Sequence, residues 1–439
     1  MTSSTPPTIP SITALVNTTR VLATLATLRS FGATHGGIHG RGVSRPSLSP
    51  ADVAARRWLA SEFADAGLRA VRMDGLGTVL GEGGAASAPA LLMGSHSDSQ
   101  PEGGWLDGAL GVAYALEASR VLHEASAPGA WAAISFADEE GRWSTLTGSR
   151  SFAGLAAPPL SNPKLAAARA DAGLADAPLL SHADARAGPW LGFLEAHIEQ
   201  GPRLERANAS LGVVTAIVGM RQLRLLLRGE QNHAGGCPMD ERADAGLAAM
   251  RLAAGLDAAI RSKLTDDDAA VWTFPLFDGF VSHSTVPGAT NLTLQFRAPT
   301  EAPLDTIEAL ARAHCEGDRA SLGLQPLSSA RPVMCTVEPA RAPIAVTPMD
   351  SELVSCVAAA ARAAAASPAA VLTMPSRAIH DAAPVAKVMP TAMLFVPSIG
   401  GISHSFDEHT HDEDIAVGAV AYVGAAAGIV LGQCAAEPG

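Results

Sequence analysis

Four short polar clusters carry the groups that could do chemistry. The first, G-S-H-S-D-S at 94–99, offers His96, with Asp98 two residues on. Asp98 could hold the second ring nitrogen, as the partner of a metal-bound histidine does. Asp107 follows in G-G-W-L-D-G, among glycines (Gly103, Gly104, Gly108) that let the backbone turn closely around an ion. The second cluster, F-A-D-E-E-G at 136–141, sets three carboxylates in a row. They repel one another unless a cation or a shared proton intervenes. Adjacent residues also point in different directions. One glutamate can therefore bind a metal while its neighbour takes a proton from bound water. The third, E-A-H-I-E-Q-G-P at 195–202, brings His197, and the fourth, P-S-I-G-G-I-S-H-S at 397–405, brings His404. Together His96, Asp107, Glu140, His197 and His404 make a donor set suited to zinc, and less well to manganese, cobalt or nickel. Asp107 could bridge two such ions about 3.5–4 Å apart. Taken singly, each cluster also has an ordinary reading: a loop histidine bonded to its neighbour, or a solvated acidic turn. His409 and His411, in D-E-H-T-H-D-E-D, read as surface residues.

The elements that must position these groups alternate in type. Residues 51–68 read as an amphipathic helix ending at Gly67, and 108–124 as another. Residues 88–94, 131–137 and 391–396 are continuous apolar runs, as in strands buried on both faces. That alternation predicts an α/β fold with a largely parallel central sheet. Sites in such sheets lie at the carboxyl ends of strands, where the four clusters fall. The middle of the chain differs. Residues 221–228 and 291–297 alternate polar and apolar like half-solvated strands, and 243–261 and 304–314 read as helices. This is an α+β pattern inserted at about 216–334, which leaves 1–215 and 335–439 as a discontinuous α/β domain that carries all four clusters.

Length and composition agree. At roughly 150 residues per domain, 439 residues make two or three domains. With 48% hydrophobic residues the chain is too apolar for disorder. A net charge of −12 with no basic run argues against nucleic-acid binding. Five scattered cysteines without C-x-x-C fit reduced thiols in a cytoplasm. The N-terminal segment has neither a basic region nor an apolar core of the signal type. Residues 415–436 carry no charge, but Ala and Gly make up over half of them, so a small-residue helix packed on a sheet explains them better than a membrane span.

Five motifs occurring in order make a more specific statement: G-S-H-S-D-S…G-G-W-L-D-G-A-L-G-V, F-A-D-E-E-G, H-I-E-Q-G-P, N-H-A-G-G-C-P-M-D-E-R-A-D-A and F-V-P-S-I-G-G-I-S-H-S. From about residue 35 onward the chain resembles the hydantoinase/carbamoylase branch of the co-catalytic metallopeptidase and amidohydrolase superfamily. That branch hydrolyses linear amides of N-carbamoyl amino acids and ureido acids. Exopeptidase relatives usually place a carboxylate where this chain has His197. The resemblance implies two divalent ions per subunit. His96 and Glu140 would each bind one, Asp107 would bridge them, and His197 and His404 would complete the two sites. Glu139 looks like the general base for a metal-activated water. The 216–334 region resembles a lid that forms a homodimer, in which His233 of one subunit reaches the active site of the other and helps polarise the scissile carbonyl. Arg297 resembles the residue that pairs with a small-molecule substrate's carboxylate, and Gln200, Ser284, Gly401 and His380 fall at further substrate contacts.

Three departures bear on the substrate. Ser284 stands where the family usually has asparagine, H-A-G-T-T-P-M reads H-A-G-G-C-P-M with Gly236 and Cys237, and S-G-A-G-H-D-A reads S-R-A-I-H-D-A with Arg377 and Ile379. Rival readings are a metallo-aminoacylase or dipeptidase, a non-catalytic family member that keeps the fold, and a Cys237 nucleophile, around which no separate constellation stands.

Overall fold

The computed structural model describes residues 7–183, 185–279, 282–316 and 331–434. The chain divides into two compact units, one from Met1–Thr215 with Pro348–Gly439, the other Ala216–Thr347. The second ends at 347 rather than 334. Residues 340–344 fold back onto the insert's own sheet, where the Ala340 N–H donates to the Gln222 carbonyl and Ile344 pairs with Met220.

The first unit is built on a nine-stranded sheet. Its principal strands are β1 (Arg69–Met73), β2 (Val79–Gly84), β3 (Ala90–His96), β4 (Ala130–Phe136), β5 (Trp190–Ile198), β6 (Leu211–Ile217) and β7 (Thr391–Val396). They lie in the order β1-β2-β4-β3-β5-β7-β6. The central pairs β4/β3, β3/β5 and β5/β7 are parallel, whereas β1/β2, β2/β4 and β7/β6 are antiparallel. Every residue of β3, β4 and β7 is buried. Such strands need no polar face, which is why they read as unbroken apolar runs.

Four helices matter for the site: α1 (Pro50–Asp65), α2 (Ala109–Glu124), α3 (Ser351–Ala364) and α4 (Asp412–Leu431). α2 and α4 supply much of the core. α4 is long and apolar enough to cross a membrane, yet 72% of its most apolar window is buried inside the protein. Its small residues admit close neighbours. The Tyr114 hydroxyl of α2 donates to the Ile415 carbonyl at 2.6 Å, and the Tyr422 hydroxyl donates to the Leu194 carbonyl of β5 at 2.8 Å.

Not all five cysteines are reduced. Cys356 of α3 and Cys434, just past α4, form a disulfide, while Cys237, Cys315 and Cys335 are free and buried. The two packed helices bring together residues 78 apart in sequence, with Cα atoms 5.0 Å apart. Spacing along the chain gives no sign of that pairing.

The insert is α+β. Its antiparallel sheet runs Met334–Pro339, Gly219–Arg228, Ala289–Ala298, Val271–Asp278. Leu223, Leu225, Leu227, Leu292, Leu294 and Phe296 bury one face against the helices Ala245–Lys263 and Glu301–Glu316.

Candidate metal centre

The parallel strands and the loops that follow them deliver the candidate ligands on the side of their carboxyl ends. His96 is the last residue of β3, His197 the penultimate residue of β5, and Glu139 and Glu140 follow β4. Asp107 precedes α2, and His404 lies on the loop after β7. They converge in two groups, His96–Asp107–His197 and Asp107–Glu140–His404, with ligand atoms in each within 4.8 Å of one another. Asp107 belongs to both. Its Oδ1 lies 3.4 Å from His96 Nε2 and 3.1 Å from His197 Nε2, and its Oδ2 lies 3.2 Å from His404 Nε2. His404 Nε2 is 3.4 Å from Glu140 Oε2. Ligands at about 2.0–2.1 Å around a tetrahedral ion are separated by roughly 3.3 Å, so these spacings suit it. Gly108 makes the approach possible. Its φ is +64°, and a Cβ there would fall 2.4 Å from the His96 ring.

The ring tautomers fit a cation as well. His96 Nδ1 faces the Asp98 carbonyl at 3.1 Å and His197 Nδ1 faces the Ile198 carbonyl at 2.9 Å. Each carbonyl can only accept, so Nδ1 carries the proton and Nε2 keeps a lone pair on the side of Asp107; that of His197 also accepts the Gly108 N–H at 3.1 Å. A lone pair and a carboxylate oxygen at such distances repel unless a proton or a metal ion lies between them. The donor set therefore fits divalent ions.

Electrostatics show the same excess of negative charge. Burial, then Asp107, pushes the Glu140 carboxyl up to about 7. Burial, then neighbouring carboxylates including Asp381 and Glu140, holds Glu139 well above the ordinary range against the pull of His96. The hydrogen bond to Asp107 raises His404 to about 9. Burial opposes a charge on His96, but Glu139, Asp107 and Asp98 together hold its imidazole well above the usual value. Burial also lifts Glu195 and Glu408 to about 8. All these groups bind protons more tightly folded than unfolded. The stability that these raised groups contribute in chelator-treated protein is thus fullest at acid pH and is lost as pH climbs through 7–9, whereas Asp107, whose charge burial opposes but the three imidazoles hold well below its ordinary value, contributes in the opposite sense only at acid pH. Thermal melts from pH 5 to 9 should show a falling Tm that added metal offsets increasingly at higher pH, because metal displaces those protons. A Tm that rises over this range would contradict the proton assignment.

The other expected residues fall as follows. Glu139 sits beside the first group, its Oε2 3.8 Å from His96 Nε2. Asp98 does not hold His96 through its carboxylate, which lies 3.9 Å away. The backbone carbonyl does that, because the carboxylate is taken by Arg56 at 3.2 Å and the Glu140 N–H at 3.3 Å. Gln200 Nε2 donates to Asp107 Oδ2 and Ser403 Oγ, both at 3.0 Å. The buried His380 ring lies 4.4 Å from that of His197, and burial, then His197, keeps it well below its ordinary pKa. Gly401, at φ +68°, packs on Pro202. In the insert, His233 Nδ1 accepts from the Gly235 and Gly236 N–H groups at 3.1 and 2.9 Å, which leaves the ring proton on Nε2. The Ser284 carbonyl accepts from the Ala234 N–H. Burial, then Arg341, lowers the pKa of the Arg297 guanidinium.

One expectation holds only in part, because the acidic stretch after His404 is not solvated throughout. Glu408 and Thr410 are fully buried, and His409 is half-buried with its ring 4.5 Å from that of His39. Only His411 of that pair is exposed. Glu408 and Arg56 escape sequence reasoning because their partners lie far along the chain. The sole local sign is that Arg56 sits four residues after Asp52 on one helix face.

A sheet of this kind with imidazoles and carboxylates gathered at its strand ends has the architecture of a hydrolytic enzyme. The profile of Peptidase family M20/M25/M40 matches residues 92–427, and the chain belongs to that family. It is 34% identical over 398 residues to an N-carbamoyl-L-amino-acid amidohydrolase of Paenarthrobacter aurescens, covering 86% of this chain and 91% of that protein. It is 31% identical over 416 residues to allantoate deiminase 2 of Glycine max, covering 85% and 82%. The crystal structure of an amidase of the hydantoinase/carbamoylase family from Burkholderia phymatum superposes with a TM-score of 0.82 at 40% identity, covering 95% and 98%.

Proposed function

We propose that this enzyme hydrolyses a linear amide C–N bond of an N-carbamoyl amino acid or ureido acid. The observation that carries this reading is the pair of ligand groups sharing Asp107, with the unshared Glu139 beside them. His96, His197 and Asp107 would hold one divalent ion, and Glu140, His404 and Asp107 the other. Zinc suits the donors best, with manganese, cobalt or nickel as alternatives. When bound, such ions supply Lewis acidity and bring the pKa of a water toward neutrality.

The protein's own groups do the rest. Glu139 accepts the proton of the attacking water and returns it to the leaving nitrogen, a task its raised proton affinity suits. His233 of one subunit, with its proton on Nε2, donates to the carbonyl oxygen held in the other subunit's site as negative charge develops there. Arg297 pairs with the substrate carboxylate, for which a guanidinium fork is the fitting partner. The carbamate released from an N-carbamoyl substrate decomposes to carbon dioxide and ammonia. The insert is assigned the homodimer contact, and the enzyme a cytoplasmic location.

The test is a substrate panel assayed with chelator-treated and metal-restored protein. Ureido and N-carbamoyl acids are expected to be turned over only after metal is restored, with N-acyl amino acids and dipeptides far slower. The reverse order would make the enzyme an aminoacylase or dipeptidase. Metal-loaded protein that turns over no amide would make it a non-catalytic member of the family.

A further inference from the structure

We propose that Glu408 is a positioning residue that locks the Asp107 loop to the His404 loop and thereby governs one of the two ion sites selectively. The inference rests on the two-ion reading above and adds a residue to it.

Glu408 joins segments about 300 residues apart. Its Oε1 accepts the Leu106 N–H at 2.9 Å and the Asp107 N–H at 3.0 Å. Its Oε2 accepts the Ser403 hydroxyl at 2.9 Å. The same hydroxyl lies 3.2 Å from Asp107 Oδ2. One carboxylate thus fixes the backbone of the bridging ligand and, through Ser403, the residue next to His404.

The cost of keeping it there shows that it is not incidental. Glu408 is 0% exposed, and among the described residues no basic side chain is ion-paired with it. A buried carboxylate without a counter-cation is expensive unless hydrogen bonds satisfy it, and its partners here are the two loops themselves. The chain also makes room for it. A Cβ on Gly104 would stand 2.0 Å from the Glu408 carboxyl carbon, so any larger residue at 104 evicts the carboxylate.

The two ion sites depend on this clamp unequally. His96 and His197 belong to β3 and β5 and are fixed by strand pairing, opposite Phe136 and Phe395, and by their Nδ1 bonds. His404 lies on a loop at φ +52°, its side chain is 51% exposed, and among the described residues no hydrogen bond holds its Nδ1. Loss of Glu408 should therefore loosen the Asp107–Glu140–His404 group and largely spare His96–Asp107–His197.

Metal counting tests this without reference to turnover. Wild type, Glu408→Ala, Glu408→Gln, Ser403→Ala and Gly104→Ala are stripped and equilibrated with buffered zinc, and bound ions per chain are measured against free zinc. Wild type is expected to bind two. Glu408→Ala and Gly104→Ala should keep one ion at wild-type affinity and bind the second about 10–100-fold more weakly, the usual cost of losing a group that orients a ligand. Glu408→Gln should restore most of it. Its amide oxygen still accepts from the two N–H groups, and its amide nitrogen can donate to Ser403 Oγ. Ser403→Ala should give a smaller loss in the same direction, and it decides the matter if Glu408→Ala fails to fold. Undisturbed second-ion affinity in Glu408→Ala and Gly104→Ala, or equal loss of both ions, overturns the proposal. A glutamine variant no better than alanine replaces positioning with a role for the charge. Wild type that binds fewer than two ions removes the underlying reading, and the inference with it.

Discussion

Glu139→Gln is expected to lower kcat by roughly 10²–10⁴-fold, the usual worth of a positioned general base, while bound metal and KM stay close to wild type. The expectation comes from what Glu139 does not do as much as from where it is. It belongs to neither ligand group, although it immediately precedes Glu140, which does. Its carboxylate stops 3.8 Å from His96 Nε2. Burial and the neighbouring carboxylates keep its proton affinity well above that of an ordinary glutamate, which is what a group that must take a proton and give it back requires. Glutamine preserves shape and hydrogen bonding but accepts no proton. Glu140→Gln provides the contrast, since removing a ligand should cost metal before it costs chemistry. Metal analysis alongside steady-state kinetics separates the two. Full turnover in metal-replete Glu139→Gln would strip Glu139 of its role, and metal loss there would turn it into a ligand.

What the sequence disclosed and what it hid divide along a physical line. β3, β4 and β7 were legible because strands buried on both faces write themselves as apolar runs. β2 was not. Its V-L-G-E-G-G carries three glycines and a glutamate, and it is held by pairing with β4 rather than by its own propensity. The half-solvated strands of the insert announced themselves by alternation, but its end did not, because residues 340–344 return through backbone bonds that need no pattern. The same line runs through the site. Candidate metal-binding side chains come from a short chemical menu and fall in polar clusters after apolar runs, so His96, Asp107, Glu140, His197 and His404 could be singled out as a set, though none of their clusters was decisive alone. The groups that orient them could not. Glu408 looks like one more acid in a polar stretch until folding brings Leu106 and Asp107 to it. Asp98 was given the right neighbour and the wrong atom, since only the fold shows that Arg56 has claimed its carboxylate.

Arg56→Ala is expected to destabilise the protein by about 3–5 kcal/mol, a large share of the roughly 5–15 kcal/mol that holds a typical domain folded. Arg56 is 0% exposed within α1. Its Nε donates to Asp52 at 2.9 Å, its Nη2 to Asp98 at 3.2 Å, and its Nη1 to the Gly77 and Phe136 carbonyls at 3.1 and 3.0 Å. Burial opposes its charge, yet Asp52 and Asp98 hold its pKa above the ordinary value. Truncation leaves two buried carboxylates without their cation, and that is the costly half of the change. Arg56→Lys should rescue little, because a single ammonium cannot reproduce a planar fork that reaches two acids and two carbonyls. The consequence extends to the site. Phe136 ends β4, and Asp98 Oδ2 also accepts the Glu140 N–H at 3.3 Å, so the guanidinium braces the turn that carries Glu139 and Glu140. Urea melts of the two variants, with and without metal, test both halves. An unfolding free energy within about 1 kcal/mol of wild type would show that the site's acidic turn is braced by something other than this ion triad.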